Sequence, residues 1–300
     1  MRAFPKKRLL ITGASGFLGW NICRSASGMY TVIGIGNTHA TGLDGVTEVS
    51  GDLTDKTVID RLFAAYKPDA VIHAAAAADP NFCQRFPEKA SAINLTATVA
   101  LARMSNAADI PFLFTSTDLV FDGRQPPYHE TDPVCPLNRY GEQKAAAEKE
   151  VLSVHPGATV CRMPLMFGDA PAHAKSFIHP MIAALRSGKT LSLFTDEYRT
   201  PVSARDAANG LLLLLEKKVR GVVHLGGPEK LSRFDMGCLL AEAMNSNPVI
   251  TACRQSDIPM SAPRAADVSL VSTRAVDVGF KPHPMRDELM NLTCITQTAG

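Results

Sequence analysis

The stretch that decides the fold lies near the N-terminus and reads RLLITGASGFLG, residues 8–19. Its first five residues are a mostly apolar run that predicts a buried strand, and residues 16–27 have the spacing of a helix. Glycines at positions 13, 16 and 19 join the two segments. Glycine permits a tight turn, lets the backbone approach a pyrophosphate, and lets the helix pack closely on the strand. The stretch therefore predicts a phosphate-binding loop at the N-terminus of a helix.

The same alternation of short apolar runs and helical stretches continues to about residue 164. We predict strands at residues 8–12, 31–35, 46–50, 70–73, 111–115 and 158–161. The helices are predicted at residues 16–27, 55–66, 87–106 and 137–154. Continuous apolar strands that alternate with helices indicate a parallel sheet covered on both faces. The predicted fold class is therefore α/β, a doubly wound sheet of the Rossmann type.

The alternation loosens after residue 164, where prolines stand at positions 164, 171, 180 and 201. Helices are predicted there at residues 176–187, 204–217 and 232–245, and strands at residues 190–193 and 221–225. We expect a nucleotide-binding domain over residues 1–164 and a smaller, mainly substrate-binding α/β subdomain over residues 165–300. Some elements of the second part are expected to return to the first, with a cleft between the two.

Composition excludes several classes of protein. The chain is 46% hydrophobic and 20% charged, as globular chains are. Its 31 basic and 29 acidic residues give a net charge of +2, which argues against a nucleic-acid partner. No apolar run approaches the roughly 20 residues of a membrane span, and no secretory signal is recognisable. The cysteines and histidines show no metal-binding spacing, so no metal site is predicted. We expect a soluble, cytoplasmic protein.

The end of the second predicted strand bears on the choice of cofactor. Dinucleotide-binding folds usually carry an acidic residue there, which binds the ribose 2′-hydroxyl of NAD and repels the 2′-phosphate of NADP. Gly36 occupies that position here, followed by Asn37, Thr38 and His39. The missing acid favours NADP(H) over NAD(H), although no Arg or Lys stands nearby to hold the phosphate. Asn37 is a candidate contact of the cofactor.

Small residues also end the third and fourth strands. Asp52 and Leu53 follow the third strand, and Ala74, Ala75 and Ala76 follow the fourth. Because the carboxyl ends of parallel strands meet at one edge of the sheet, small residues there leave room for a bound cofactor.

A tyrosine and a lysine stand four residues apart at Tyr140 and Lys144. On a helix this spacing places both side chains on one face. A nearby ammonium is expected to lower the high pKa of a tyrosine, so the pair can protonate a carbonyl oxygen. The fifth strand leads into Ser116, Thr117 and Asp118, which are expected at the same edge of the sheet.

Taken with the glycine loop, these features resemble an extended short-chain dehydrogenase/reductase over nearly the whole chain. Within that superfamily the sequence resembles the dTDP-4-dehydrorhamnose reductase family. The stretches that carry the likeness are STDLVFDG at 116–123, PLNRYG at 136–141, RTPV at 199–202 and PRAADVSL at 263–270.

This resemblance implies an NAD(P)H-dependent enzyme that reduces the keto group of a nucleotide-activated sugar. Thr117 would polarise the carbonyl, Tyr140 would donate the proton, and Lys144 would hold the nicotinamide ribose. The implied cofactor contacts are Gly13, Ser15, Gly16, Phe17, Leu18, Asn37, Asp52, Leu53, Ala74, Ala75, Ala76, Tyr140 and Lys144. The implied substrate contacts are Thr117, Asp118 and Arg199, the last of these toward a phosphate. The family also implies a homodimer.

The sequence departs from the reductases near the expected sugar pocket. Residues 163–168 lack the tryptophan that the family usually carries there, Ala77 and Ala78 replace a Tyr-Thr pair, and Asn81 and Gln84 replace acidic residues. The identity of the sugar is therefore left open.

Two alternatives remain. The pattern over residues 121–148 is also similar to the beta subunit of methionine adenosyltransferase, which implies a non-catalytic, dinucleotide-binding regulatory subunit. A nucleotide-sugar epimerase of the same superfamily is the third interpretation.

Overall fold

The structure, a computed structural model, describes residues 5–296. Within that range the strands are β1 Arg8–Thr12, β2 Thr31–Gly36, β3 Val46–Ser50, β4 Ala70–His73, β5 Phe112–Thr117, β6 Thr159–Met163, β7 Met166–Phe167, β8 Leu191–Phe194, β9 Tyr198–Arg199, β10 Val202–Ser203, β11 Gly221–His224, β12 Leu231–Ser232 and β13 Ile250–Cys253. The α-helices are α1 Phe17–Ala26, α2 Lys56–Tyr66, α3 Pro80–Arg85, α4 Pro87–Ser91, α5 Thr98–Ala107, α6 Arg139–Val154, α7 Ile178–Arg186, α8 Ala204–Glu216, α9 Arg233–Ala243, α10 Thr273–Asp277, α11 Met285–Leu289 and α12 Thr293–Thr296.

Seven strands form one central sheet in the order β11-β6-β5-β4-β1-β2-β3. Every neighbouring pair in it is parallel. The strand order reverses between β1 and β4, which is the switch point where such sheets bind ligands. The predicted Rossmann-type α/β sheet is confirmed.

Strand β1 shows why the sheet is covered on both faces. Its side chains alternate between the two faces because the period of a strand is two residues. Leu9 and Ile11 pack into the apolar cluster that contains side chains of α1 and α8. Leu10 packs on the opposite face, in the cluster that contains side chains of α2, α5 and α6. All three side chains are completely buried, so a run without polar residues suits this strand.

The helix predicted at residues 87–106 is broken into α4, a π-helical turn at Ala92–Ala97, and α5. The buried Asn94 lies in the widened turn. Its Oδ1 accepts from the Ala77 N–H at 2.8 Å, and its Nδ2 donates to Gln143 Oε1 at 2.9 Å. The turn therefore serves contacts with distant segments, which the local apolar spacing does not reveal. Helix α3, which Asp79 caps at its N-terminus, was not predicted either.

The C-terminal part contains a third apolar cluster, in which side chains of α7, α9 and α11 pack together with Leu191 and Ile250 from β8 and β13. The three longer helices and the two strands predicted after residue 164 are confirmed in type and place. Strand β11 adds to the central sheet beside β6. The division of the chain into two domains at residue 164 stays a prediction. None of the helices within residues 5–296 is both long and apolar enough to span a membrane.

Candidate active site

A cleft of about 430 Å³ opens at the carboxyl ends of β1, β4 and β5, at the switch point of the sheet. It brings most of the sequence-predicted site residues together. Those that line it are Gly13, Gly16, Phe17, Leu18, Ala74, Ala76, Thr117, Asp118, Tyr140, Lys144 and Arg199.

Two glycines of the loop are required by close packing. Gly13 has φ +65°, and a Cβ on it would lie 2.7 Å from the backbone of Ala75. A Cβ on Gly19 would lie 2.1 Å from the carbonyl oxygen of Gly13. Real Cβ atoms do not approach backbone so closely, so both positions exclude any side chain. Glycine has no Cβ, and only for that reason can three segments meet here: the end of β1, the first turn of α1 and the segment after β4.

Gly16 is different, since a Cβ there would meet only the Gly13 carbonyl oxygen, at 3.2 Å. It is the N-cap of α1 and has ordinary extended backbone, with φ −75° and ψ 170°. No side chain caps this helix. The first N–H groups of a helix lack partners within it and attract anions. The uncapped N-terminus beside the cleft fits the pyrophosphate of a dinucleotide.

The loop after β2 explains the glycine at position 36. A Cβ on Gly36 would lie 2.6 Å from the His39 carbonyl oxygen and 2.7 Å from Ser15 Oγ. The loop thus folds back over this position, so the glycine there has a packing cause. His173 reaches the same place from the C-terminal part: its Nε2 lies 2.8 Å from the Ser15 carbonyl oxygen, and its ring stacks on His39 at 4.3 Å.

Five sequence-predicted cofactor residues are not among the described residues that line the cleft: Ser15, Asn37, Asp52, Leu53 and Ala75. Asn37 is exposed. The Asp52 carboxylate accepts from the Thr54 N–H at 2.9 Å, and Leu53 packs against the core. Their contacts with the cofactor stay a prediction.

Thr117, Tyr140 and Lys144 meet in the cleft from two elements. Thr117 ends β5, whereas Tyr140 and Lys144 lie one turn apart on α6. Asn138 caps that helix by accepting from the Gly141 N–H at 3.0 Å, which fixes where its first turn begins. All three side chains are more than nine-tenths buried.

Burial raises the pKa of Tyr140, and the nearby Asp118 charge raises it further, while a hydrogen bond with Thr117 lowers it. Burial is the largest of these effects, and Lys144 is not among the groups that shift this pKa, so the expected lowering by the lysine is not seen. The phenol holds its proton at neutral pH, as a proton donor must.

Lys144 is buried, and burial lowers its pKa to about 7, against the raising effects of Glu148 and Cys83. Its Nζ lies 4.1 Å from the centre of the Phe114 ring, which favours the cationic form. Glu148 stands one turn further along α6, where Arg162 donates to it at 2.8 Å. The lysine therefore changes charge near neutral pH.

Asp118 and Arg199 form a buried pair, with Arg199 Nε 3.4 Å from Asp118 Oδ2. Burial raises the pKa of Asp118 to about 6, although Arg199 and a hydrogen bond from Thr117 lower it. The Thr117 hydroxyl donates to Asp118 Oδ1 at 3.2 Å. The Arg199 guanidinium also donates to the Tyr198 carbonyl at 2.8 Å, so Arg199 is held on several sides.

Sequence reasoning assigned no role to several residues that line the cleft. Arg264 is one of them, and its side chain is about one-third exposed. The motif PRAAD at residues 263–267 contained the signal, but its arginine could not be placed before the fold was known. Met163, Met166 and Phe177 form an apolar wall. Two of these lie where the family's tryptophan is absent.

The other departures from the family lie on α3 and in the segment just before it. Ala78 lines the cleft. Asn81 does not line it and instead accepts from the Ser261 hydroxyl at 2.9 Å, while Gln84 accepts from the Arg139 N–H at 3.4 Å.

A separate polar cluster joins α8 to the segment before α11. Asp206, His283 and Glu288 place possible ligand atoms within 4.8 Å of one another. Asp206 accepts from the His283 backbone N–H at 2.8 Å, and Arg205 pairs with Glu288. Because an arginine already neutralises one carboxylate, these contacts are explained as an ion-pair network that fastens the C-terminal segment to α8.

A parallel sheet whose order reverses beside an uncapped helix N-terminus defines a doubly wound protein of the nucleotide-binding kind. The chain belongs to the family described as RmlD substrate binding domain, whose model matches residues 7–297. The resemblance to extended short-chain dehydrogenases/reductases, and to dTDP-4-dehydrorhamnose reductases among them, is confirmed.

Two relatives in sequence are each 32% identical to this chain. Methionine adenosyltransferase 2 subunit beta from Xenopus laevis matches over 248 residues, 80% of this chain and 73% of that protein. A probable low-salt glycan biosynthesis reductase, Agl14, from Haloferax volcanii matches over 241 residues, 79% of this chain and 80% of that protein. The crystal structure of a hypothetical dTDP-4-dehydrorhamnose reductase from Sulfolobus tokodaii is 32% identical, with a TM-score of 0.82, and the match covers 93% of this chain and 98% of that one.

We predict that Gly16→Val abolishes dinucleotide binding without unfolding the protein. The valine side chain would occupy the space beside the first turn of α1, where a phosphate would lie. Calorimetric titration with NADPH should show at least a tenfold loss of affinity, while the circular dichroism spectrum stays near that of the wild type. Gly19→Ala is the contrasting variant and should lose folded stability, because its Cβ has no space. Wild-type affinity in Gly16→Val would refute the placement of the phosphates.

We predict that Lys144→Met stabilises the fold. A lysine whose pKa falls from 10.5 in the unfolded chain to about 7 in the fold destabilises the fold fully below pH 7. That penalty disappears as the pH rises from about 7 to 10.5. Urea unfolding at pH 6.5 should show a gain of about 1–3 kcal/mol, which shrinks toward pH 10.

The matched control is Lys149→Met, an exposed lysine on the same helix, which should change stability little at any pH. If Lys144→Met instead loses stability, by an amount that does not vary with pH, the buried ammonium of Lys144 does not destabilise the fold and the prediction is wrong.

Proposed function

We propose that this protein is an NAD(P)H-dependent reductase of a nucleotide-activated keto-sugar. The observation that carries the proposal is the meeting of Thr117, Tyr140 and Lys144 in a cleft that begins at the uncapped N-terminus of α1. The likeness to the Haloferax and Sulfolobus proteins, both named as reductases, supports it.

Each of the three residues has a role that suits its surroundings. A bound NADPH would supply the hydride. The Tyr140 hydroxyl donates its proton to the carbonyl oxygen as that oxygen gains negative charge, and its raised pKa keeps the proton available until then. The Thr117 hydroxyl orients the same oxygen. The Lys144 ammonium binds the ribose hydroxyls and stabilises the phenolate that the proton transfer leaves behind.

The substrate side of the cleft combines two arginines with an apolar wall. Arg199 and Arg264 are suited to the diphosphate that links a nucleoside to a sugar, because guanidinium groups match phosphate geometry. Met163, Met166 and Phe177 would contact a deoxysugar, whose missing hydroxyl exposes apolar surface.

The preferred cofactor is NADP(H), because no carboxylate stands at position 36 to repel a 2′-phosphate. The pure protein should bind NADPH at least as tightly as NADH. Calorimetric titration with both cofactors measures this, and a clear preference for NADH would overturn it.

Tyr140→Phe is expected to lower turnover by about 10²–10⁴-fold, since the proton donor is lost while the ring remains. A panel of nucleotide-linked 4-keto-sugars tested with NADPH, followed by loss of nicotinamide absorbance, identifies the substrate first. NADPH affinity should change little in Tyr140→Phe, because the glycine loop and Lys144 still hold the cofactor. Undiminished turnover in this variant would refute the mechanism, whichever sugar is the substrate.

A second candidate function rests on the likeness to methionine adenosyltransferase 2 subunit beta. A non-catalytic regulatory subunit of that kind would bind a dinucleotide and a partner enzyme, without reducing a sugar. It would show no turnover on the whole panel, and Tyr140→Phe would be silent in a partner-activation assay. Sedimentation with a methionine adenosyltransferase catalytic subunit would then reveal the complex.

A further inference from the structure

Three guanidinium groups converge on one buried glutamate beside the cleft. Glu197 Oε1 lies 3.6 Å from Arg199 Nη2 and 3.5 Å from Arg233 Nε. Its other oxygen, Oε2, lies 3.6 Å from Arg264 Nη1. The Glu197 side chain is only 3% exposed and that of Arg199 only 6%, whereas the side chains of Arg233 and Arg264 are partly exposed.

This cluster is incompletely satisfied. Its ion-pair distances of 3.5–3.6 Å exceed those of a good charge-assisted hydrogen bond, about 2.7–2.9 Å. Among residues 5–296, Glu197 Oε2, Asp118 Oδ2 and Arg233 Nη1 are buried atoms without a hydrogen-bond partner. Six such atoms occur among these residues, and three of them lie in the cluster around Glu197. Buried polar groups normally find partners, so the arrangement is suited to receiving one more ligand.

The charges of the cluster indicate the sign of that ligand. Three arginines stand against two carboxylates, Glu197 and Asp118, which leaves a net charge of +1. Arg199 and Arg264 line the cleft. Arg233 is not among the described residues that line the cleft. Its guanidinium lies over the ring of Phe177, and Phe177 does line the cleft. An anion in the cleft would therefore meet the two lining guanidiniums, while Glu197 holds them from behind.

We propose that Glu197 is a built-in counter-anion that competes with an incoming diphosphate for Arg199 and Arg264, and so determines which anions the cleft retains. The proposal rests on the proposed function for the identity of the diphosphate, a nucleotide-linked sugar. Glu197 is not among the described residues that line the cleft, so it acts through the arginines that do.

The consequence is selectivity. The negative charge of Glu197 weakens the binding of every anion to the arginines. A small inorganic anion has no other contacts to offset this loss. A nucleotide-sugar has the nucleoside and the sugar as well, and therefore remains bound. The residue therefore lowers the occupancy of the cleft by free pyrophosphate and phosphate at concentrations where the larger substrate still binds, and it also assists release of the anionic product.

Inorganic pyrophosphate is the probe that tests the proposal, titrated by calorimetry into protein saturated with NADPH so that the glycine loop is filled. Glu197→Gln keeps the size of the side chain and removes its charge. It should bind pyrophosphate at least about tenfold more tightly than the wild type. The matched control is Glu288→Gln, a glutamate equally buried and paired with Arg205, outside the cleft. It should bind pyrophosphate as the wild type does.

A charge-balanced double variant distinguishes an effect of charge from an effect of misfolding. Glu197→Gln combined with Arg233→Gln restores the net charge of +1 and leaves the two lining arginines in place. Its affinity for pyrophosphate should return to within about threefold of the wild type. Pyrophosphate should also raise the melting temperature of Glu197→Gln by more than that of the wild type, because it replaces the missing counter-charge. Unchanged or weaker pyrophosphate binding in Glu197→Gln, with the fold retained, overturns the proposal, and so does failure of the double variant to reverse the gain.

Kinetics separate this proposal from the proposed function. With a keto-sugar substrate, Glu197→Gln should lower KM and lower kcat, because substrate binds more tightly and product leaves more slowly. A chain that reduces no sugar would refute the proposed function, yet the pyrophosphate titrations would still decide the role of Glu197. Suppose instead that the wild type reduces a keto-sugar, that Tyr140→Phe abolishes this turnover, and that Glu197→Gln binds pyrophosphate as the wild type does. Those results would refute only the present proposal and leave the proposed function standing.

Discussion

The close approach of three backbone segments at the glycine loop is the constraint on which the rest of the structure depends. The carbonyl oxygen of Gly13 fills the space where Gly19 would carry a Cβ, and Gly13 itself faces the backbone of Ala75. The first turn of α1 can therefore lie against the ends of β1 and β4, with its N–H groups directed at the switch point. A single methyl group at either position would push the helix from the sheet and displace the anion site and the cleft together.

Several charged side chains are buried around that cleft. Lys144, Asp118 and Glu197 are each almost fully buried, and burial shifts the pKa of Lys144 and Asp118 toward neutrality. Such groups cost stability, because charge is poorly solvated away from water. They persist in a fold only where neighbours partly compensate them, as Glu148 does for Lys144 and Arg199 does for Asp118. The same buried charges thus lower the stability of the fold and give the cleft groups with shifted pKa values, a combination that is common at functional sites.

Local patterns predicted most of the central sheet, since a buried parallel strand such as β1 needs an unbroken apolar run. Between β4 and β5 they predicted the helix that spans residues 87–107 but neither α3 nor the π turn, where the buried Asn94 forms hydrogen bonds with residues far along the chain. Spacing also placed Tyr140 and Lys144 on one face, yet the pKa of Tyr140 rises where the pairing alone suggested a fall. Burial, which spacing does not report, is the largest cause of that rise, and Lys144 does not offset it.

By itself the sequence determined the class of fold, because the alternation of apolar runs and helical stretches is visible along the chain. It also determined the glycine loop, the Tyr140–Lys144 pair and the strand-end hydroxyl of Thr117, because each of these is encoded within one turn or one strand. Only the tertiary structure decided that Arg199, Arg233 and Arg264 surround Glu197, and that residues 37–39 fold over Gly36. The arginines belong to a strand, a helix start and a loop that stand up to 65 residues apart in the chain. Electrostatic interactions act through space rather than along the chain, so no local pattern could reveal that these charges share one site.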